Sequence, residues 1–449
     1  MAATAEAPAS VSGETSPLGH GHLRQFWGYA RRVFDLRQLL DGVCDTRQEP
    51  EVPSPLVARI LFLVGLLRIR SFNALEPKLA ESTTLGILDA SRRRSGKACS
   101  VDTLAYSLAR MEVPTCRRTV VSVIQQAERN KVFREGFVGA LRYVALDGWE
   151  MFTSRSRCCG HCLTRELTVN DQSVTEYYHR YVVALYIDER LDVVLDMEPI
   201  RSADVRKEAG EPNVKGHEGE QTAAKRLIRR LRTTYGRWID VLVGDALYAN
   251  GPFFTLAAEC GYGTITVVKK ETDEPFKEAL AIWRRQTGPD EIFDDEKTGE
   301  RIEIWDCPEI RTLSTYQGAI RVIRTVVYKE GVEKPTTFCF AATGKAAKLP
   351  RRSLLRAGRS RWHIENTAFD QWTQYWPFTH VFTHSENGVD ALLWLLILAF
   401  DLLQFFLYRQ LCSYGRDRGK DVTRTILRLI DEMRDELARL NERIPWDSS

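Results

Sequence analysis

The spacing of hydrophobic and polar positions along this chain changes character three times. Over residues 23–140 apolar side chains recur at helical intervals, as in LRQFWGYARRVFDLRQLLDGV and PSPLVARILFLVGLLRIRSFNALEPKLA. The stretch SRRRSGKACS interrupts this pattern, and SVDTLAYSLARMEV and PTCRRTVVSVIQQAERN resume it, with Ser100 placed as an N-cap. From residue 143 the pattern turns to strands. Residues 143–146 form a short apolar run closed by Asp147 and Gly148, a common strand terminator, and EYYHRYVVALYI and LDVVLDMEP follow. Then come a helix in EGEQTAAKRLIRRLRTTYG with Ala224, Leu227, Ile228 and Leu231 on one face, the strand WIDVLVGD, the helix GPFFTLAAECG and the strand GTITVVKK. The order β-β-β-α-β-α-β predicts an α/β fold, a mixed sheet flanked by helices.

After residue 270 the alternation stops. A helix around PFKEALAIWRRQ precedes the strand-like runs ERIEIWDCPEI, IRVIRTVVYKE and TTFCFAAT, which read as a β-rich insertion over 271–343. Helices return at about residue 350 and end in an amphipathic helix near 422–442, with Ile426, Ile430, Met433, Leu437 and Leu440 on one stripe. The resulting division is a disordered tail (1–22), a helical N-terminal domain (23–140), a core in two parts (141–270 and 344–412) split by the insertion, and a C-terminal helix (413–449).

Composition narrows the class. A 449-residue chain with 44% hydrophobic and 27% charged residues has the make-up of an ordinary globular protein with a sizeable core. The net charge of +3 identifies no partner, so local patches carry that argument. The tail is rich in Ala, Ser, Pro and Gly and lacks the apolar centre of a signal peptide. The run ALLWLLILAFDLLQFFLY is interrupted by Asp401 and Gln404 and reads as a buried core helix, so no membrane partner is expected. Of the ten cysteines only Cys158, Cys159 and Cys162 cluster, which fits a reducing cytoplasm better than a secreted disulfide framework.

Acids punctuate the strands. Asp147 and Asp245 each follow an apolar strand, and Glu365 lies on the helix RWHIENTAFDQW, where Trp362, Phe369 and Trp372 are placed to pack inward. Strand ends converge on one rim of a layered sheet, so these acids can meet. Three convergent carboxylates repel one another unless cations neutralise them, and hard oxygen ligands suit Mg²⁺. Two such ions about 3.5–4 Å apart activate an attacking water or hydroxyl and stabilise a leaving oxygen in phosphoryl transfer.

YVALDGWEMF, LVGDALYANGPFF and RSRWHIENTAFDQW resemble the three acidic motifs of bacterial insertion-sequence transposases of the DDE superfamily, over about residues 140–410. The resemblance implies an RNase H-like core with a helical N-terminal DNA-binding region and a β-rich insertion before the glutamate. It implies that Asp147, Asp245 and Glu365 form a catalytic triad holding two Mg²⁺ or Mn²⁺ ions. Many relatives carry Tyr-x-x-Arg before the glutamate and a lysine seven positions after it. Here Arg361 fits the arginine, but Gly358 and Trp372 stand at the tyrosine and lysine positions. The implied activity is metal-dependent cleavage at transposon ends followed by strand transfer into target DNA. The implied partners are double-stranded DNA and further copies of the chain, as a dimer or larger oligomer on DNA in the nucleoid-associated cytoplasm. The rival readings are an RNase H-like nuclease or resolvase that cuts without joining, and a domesticated DNA-binding protein.

Two further features bear on partners. Arg351, Arg352, Arg356, Arg359 and Arg361 lie in a stretch without acids, and Arg92, Arg93, Arg94 and Lys97 form a basic turn in the helical region. Both are candidate contacts to a phosphate backbone. Trp283 and Trp305 are candidates for stacking on an unpaired base, with core packing as the alternative. Cys159 and Cys162 have the C-x-x-C spacing of a metal-binding turn, and Cys158 with His161 or His179 is available to complete a tetrahedral zinc site. Buried free thiols are the alternative.

Overall fold

Strand β1 runs for twelve residues, Tyr143–Ser154, and does not stop at its Asp-Gly pair. The cause is long-range pairing. β3 (Gln172–Ile187) lies antiparallel along it, with Asp147 opposite Val183 and Gly148 opposite Val182, so a tertiary ladder overrides the local turn signal. The computed structural model describes residues 21–81, 84–85, 88, 98–156, 158–189, 191–269, 274–410 and 422–439. The proposed tail falls almost wholly outside them, and its last residue, His22, already opens a helix.

Within one ten-stranded sheet, the central order is β4 (Asp192–Pro199), β3, β1, β5 (Val241–Gly244), β6 (Gly263–Val267). β1, β5 and β6 are mutually parallel, whereas β3 and β4 are antiparallel neighbours. This is the RNase H-like arrangement expected. The sequence pattern missed β2 (Leu163–Val169), which has only three apolar residues, Leu163, Leu167 and Val169, and forms a hairpin with β3.

The residues read as an insertion continue the same sheet. β7 (Glu291–Asp295), β8 (Glu300–Ile310), β9 (Ile320–Tyr328) and β10 (Thr336–Thr343) form an antiparallel meander. β10 pairs with the outer edge of β6, Phe340 opposite Val267. That pairing satisfies backbone groups on an edge that would otherwise be open.

The helical region is α1 (His22–Phe34), α2 (Leu36–Asp41), α3 (Ser54–Leu66), α4 (Phe72–Leu75), α5 (Val101–Leu108) and α6 (Val113–Arg129). Ser100 caps α5 as its sequence predicts, its side chain accepting from the Thr103 N–H. α7 (Ala203–Glu208), α8 (Glu220–Tyr235), α9 (Gly251–Glu259) and α10 (Glu274–Trp283) accompany the sheet. α11 (Arg351–Arg359) and α12 (Asp370–Gln374) flank a π-helical turn, Ile364–Phe369. α13 (Glu386–Phe405) and α14 (Val422–Arg439) close the chain.

α13 is long and apolar enough to span a membrane, yet it is almost wholly buried as the core helix expected. α3 and α6 pack on it. A Cβ on Gly65 would come within 3.0 Å of the Ala399 methyl, so glycine sets this close approach of α3 to α13. The helical region is therefore joined to the core through a shared apolar interior. Asp401 explains its own presence in α13. Its Oδ1 accepts the Val194 N–H at 2.9 Å, beside the irregularity where β4 slips register against β3. Burial pushes the Asp401 carboxyl well above its ordinary value.

Candidate active site

Parallel register brings the two aspartates together. Leu146 on β1 lies opposite Gly244 on β5, so the next residue on each strand is an acid, Asp147 and Asp245. β5 ends there because Asp245 turns the chain, its Oδ1 accepting the Leu247 N–H at 2.8 Å to cap the turn Ala246–Tyr248. Gly244 is required for this turn, since a Cβ would stand 2.7 Å from the Tyr248 ring.

Glu365 enters from the other side, on the π-helical turn Ile364–Phe369. π-helical turns cluster at functional sites because the extra residue re-aims a side chain. Arg361 links the acids. Its Nη1 donates to Asp147 Oδ2 at 3.1 Å and to Glu365 Oε1 at 2.6 Å. Trp372 anchors the helix, fully buried with its ring centroid 5.0 Å from that of Trp149 and 4.7 Å from that of Phe378. The expectation that Trp362 packs inward is wrong. It is 48% exposed, with the Arg361 guanidinium over its ring.

Packing also accounts for the two departures from the relatives' motif. A Cβ on Gly358 would lie 2.8 Å from the Phe340 ring, which leaves no room for a tyrosine. Position 372 is the core anchor just described, where a lysine would bury an unpaired charge.

Burial pushes the Asp147 carboxyl up to about 6. Its hydrogen bond from the Gly148 N–H and the Arg361 charge pull the other way, while Asp245 and Glu220 add to the rise. Glu220 was missed by sequence reasoning, because an acid in the first turn of an amphipathic helix reads as ordinary helix-end chemistry. It accepts from Arg180 Nη2 at 2.7 Å and from the Tyr248 hydroxyl at 2.9 Å. A Cβ at position 148 would collide with the Glu220 carboxylate, so Gly148 makes space for a fourth acid rather than a turn.

The donor chemistry fits a hard divalent cation. Asp147 and Asp245 follow paired residues of adjacent strands, Asp147 resists ionisation, and a guanidinium already bridges Asp147 and Glu365 as a cation would. A cavity of ≈ 520 Å³ opens beside Asp245 and Arg361, lined also by Lys269, Arg324, Phe338 and Trp362.

The basic stretch before Glu365 is not an unpartnered face. Arg351 pairs with Asp306 at 2.9 Å, Arg352 with Glu291 at 2.6 Å and Arg359 with Glu300 at 3.3 Å. Arg356 pairs with Glu189. Most of these acids come from the β7–β10 extension, which sequence neighbourhood could not reveal. Arg92, Arg93, Arg94 and Lys97 lie outside the described residues. Trp283 is buried against Phe276, which removes it as a base-stacking surface, and Trp305 is half-buried beneath Arg324.

The cysteine cluster separates into two groups. Cys159 Sγ and Cys162 Sγ lie 3.7 Å apart, each 3.3 Å from His179 Nε2. His161 turns instead toward Glu386, 3.6 Å away, and Cys158 is exposed. No disulfide joins the described cysteines.

A family model, the transposase DDE domain, matches residues 212–402. The chain carries a transposase DDE domain. Asp245 and Glu365 fall inside the matched span, and Asp147 precedes it. The protein is accordingly a DNA transposase, an enzyme of DNA recombination, and transposases of this kind use divalent metal ions. The fold is also similar to a solved piggyBac transposase synaptic complex with hairpin DNA, at 11% identity over 93% of this chain and 83% of that one, with a TM-score of 0.44. No curated protein matches the chain.

Proposed function

We propose that Asp147, Asp245 and Glu365 are the catalytic acids of this transposase and hold two Mg²⁺ or Mn²⁺ ions. The observation that carries this reading is the register: Leu146 opposite Gly244 sets two acids side by side, and Arg361 ties the third to the first. The ions, when bound, supply an activated water or 3′-hydroxyl and neutralise the leaving oxygen. The chain's own contribution is positioning. β1 and β5 are rigid mounts for the aspartates, and the Trp372 anchor fixes the helix that carries Glu365. Arg361 compensates the acids in the metal-free chain and turns to a DNA phosphate when cations take its place. Glu220, held by Arg180 and Tyr248, adds negative potential behind Asp147 and favours cation uptake.

The reaction is cleavage at the transposon ends and then joining of the freed 3′ end to target DNA. Lys269, Arg324 and Arg361 line the cavity beside Asp245 and offer charge to the strand that enters it. Arg351, Arg352, Arg356 and Arg359 reach phosphate by exchanging their present carboxylate partners. The helical region with Arg92, Arg93, Arg94 and Lys97 binds the duplex, and the active assembly is a dimer or larger oligomer on paired ends, in the nucleoid-associated cytoplasm.

The test uses purified full-length chain with Mg²⁺ or Mn²⁺ and a duplex carrying the terminal repeats of the element. Cleavage and joining are expected for the native chain, and DNA binding without cleavage for Asp147→Ala and Asp245→Ala. Cleavage retained by either variant would sink the assignment. Cutting of the ends with no joining of pre-cut ends would favour the nuclease reading instead.

A further inference from the structure

We propose that Cys159, Cys162 and His179 bind a zinc ion, with Cys158 as the fourth ligand, and that this ion is structural. The site shares no residue with the acids and does not depend on their assignment. Among the described residues these three are the one set of three or more His, Cys, Asp or Glu whose ligand atoms all close within 4.8 Å. Tetrahedral zinc with bonds of about 2.3 Å to sulfur and about 2.0–2.1 Å to nitrogen requires S···S near 3.8 Å and S···N near 3.5 Å. The observed separations of 3.7, 3.3 and 3.3 Å are close to one triangular face of that tetrahedron.

Hydrogen bonding alone accounts for this triangle poorly. The Nε2 lone pair of a neutral imidazole accepts one proton, yet two thiols approach it equally. A metal ion satisfies all three atoms at once. Local backbone geometry suits the same purpose. The Cys162 N–H donates to the Cys159 carbonyl at 3.1 Å, and the Cys159 N–H points at Cys162 Sγ at 3.4 Å. The C-x-x-C segment is thus a tight turn with an amide directed at a sulfur.

Burial indicates a structural role. Cys162 and His179 are buried and Cys159 is half-buried. Structural zinc is almost always four-coordinate. His161 lies toward Glu386, 3.6 Å away, and the fourth position is assigned to Cys158, the remaining sulfur of the turn, for a Cys₃His set. The ion would fasten the β1–β2 connection onto β3. The turn is also seated against two more distant elements. The Ser202 hydroxyl, just before α7, donates to the Gly160 carbonyl at 3.0 Å, and a Cβ at Gly160 would stand 2.5 Å from Glu386 Oε1 in the first turn of α13. Losing the ion would free the β1–β2 connection from β3 and loosen its seat against Ser202 and Glu386.

The experiment measures metal content of the full-length chain, purified with zinc present and dialysed against metal-free buffer, by mass spectrometry. One zinc per chain is expected for the native chain and for Asp147→Ala, and less than about a tenth of that for Cys162→Ser and His179→Ala. Replacement by Co²⁺ adds a readout that does not require the variants to fold fully. Thiolate-to-cobalt absorption is expected in the native chain, weakened in Cys158→Ser and absent in a Cys159→Ser/Cys162→Ser double variant. Zinc at full occupancy in that double variant, no thiolate–cobalt absorption in the native chain, or a Cys159–Cys162 disulfide in the protein as purified would each overturn the proposal. A Cys158→Ser spectrum identical to the native one would overturn the fourth ligand.

Discussion

Two clusters in this molecule gather candidate metal ligands by opposite routes. The acids at 147, 245 and 365 come from three distant segments; a guanidinium joins the first to the third, and Asp245 opens onto a cavity lined with Lys269 and Arg324. The cysteines at 159 and 162 share one turn, and His179 lies on the strand folded over it, largely closed off from solvent. The open cluster has hard oxygen donors and space for a substrate. The closed one has soft donors already at coordination spacing. A site that must exchange ligands is built from separate elements and left unsatisfied, whereas a site that fastens a loop can be local and complete.

The largest expected effect breaks the comparison at the acids. Asp245→Ala should lower DNA cleavage by on the order of 10³-fold or more without loss of bound zinc, read by end-cleavage assay and metal content on one preparation. Removing the anchor of the Glu365 helix comes next. Trp372→Ala should cost about 3–5 kcal/mol of stability, seen as a lower denaturation midpoint in urea, because it opens a cavity between Trp149 and Phe378. Chelation of the thiol–imidazole cluster should lower the thermal midpoint of the native chain and leave that of the Cys159→Ser/Cys162→Ser variant unmoved. An equal shift in both would remove the distinction between the two clusters.

The smallest effect concerns pH. The folded-state pKa of Asp147, about 6, lies above its ordinary value, so its ionisation opposes folding. The stability it permits is fully present below about pH 4 and is lost as pH rises through 6. Asp147→Asn should therefore stabilise the metal-free chain by about 1–3 kcal/mol at pH 8 and by nothing at pH 3.5. Thermal midpoints across that range check it, and added Mg²⁺ should stabilise the native chain but not the variant.

Much of the scaffold was legible because it rests on local periodicity. The helix of Ala224, Leu227, Ile228 and Leu231, the apolar strand before Asp245, the Ser100 cap and the buried helix at 391–408 all appear where side-chain spacing puts them. Misreadings fell where a distant partner decided the outcome. β1 continues through Asp147 because β3 pairs with it, and Trp362 is exposed where the helical spacing put it inward.

The sequence by itself determined which residue types are available for chemistry: two aspartates that each follow an apolar run, a glutamate four residues after an arginine, and a C-x-x-C turn. The tertiary structure decided which of them meet. Only the β1–β5 register sets Asp147 beside Asp245, only the π-helical turn brings Glu365 onto the Arg361 that already holds Asp147, and only the fold reveals Glu220 behind Gly148. The physical reason is range. Periodicity and turn chemistry act over a few residues, whereas the desolvation and repulsion that make a carboxylate group reactive arise between residues far apart in the chain.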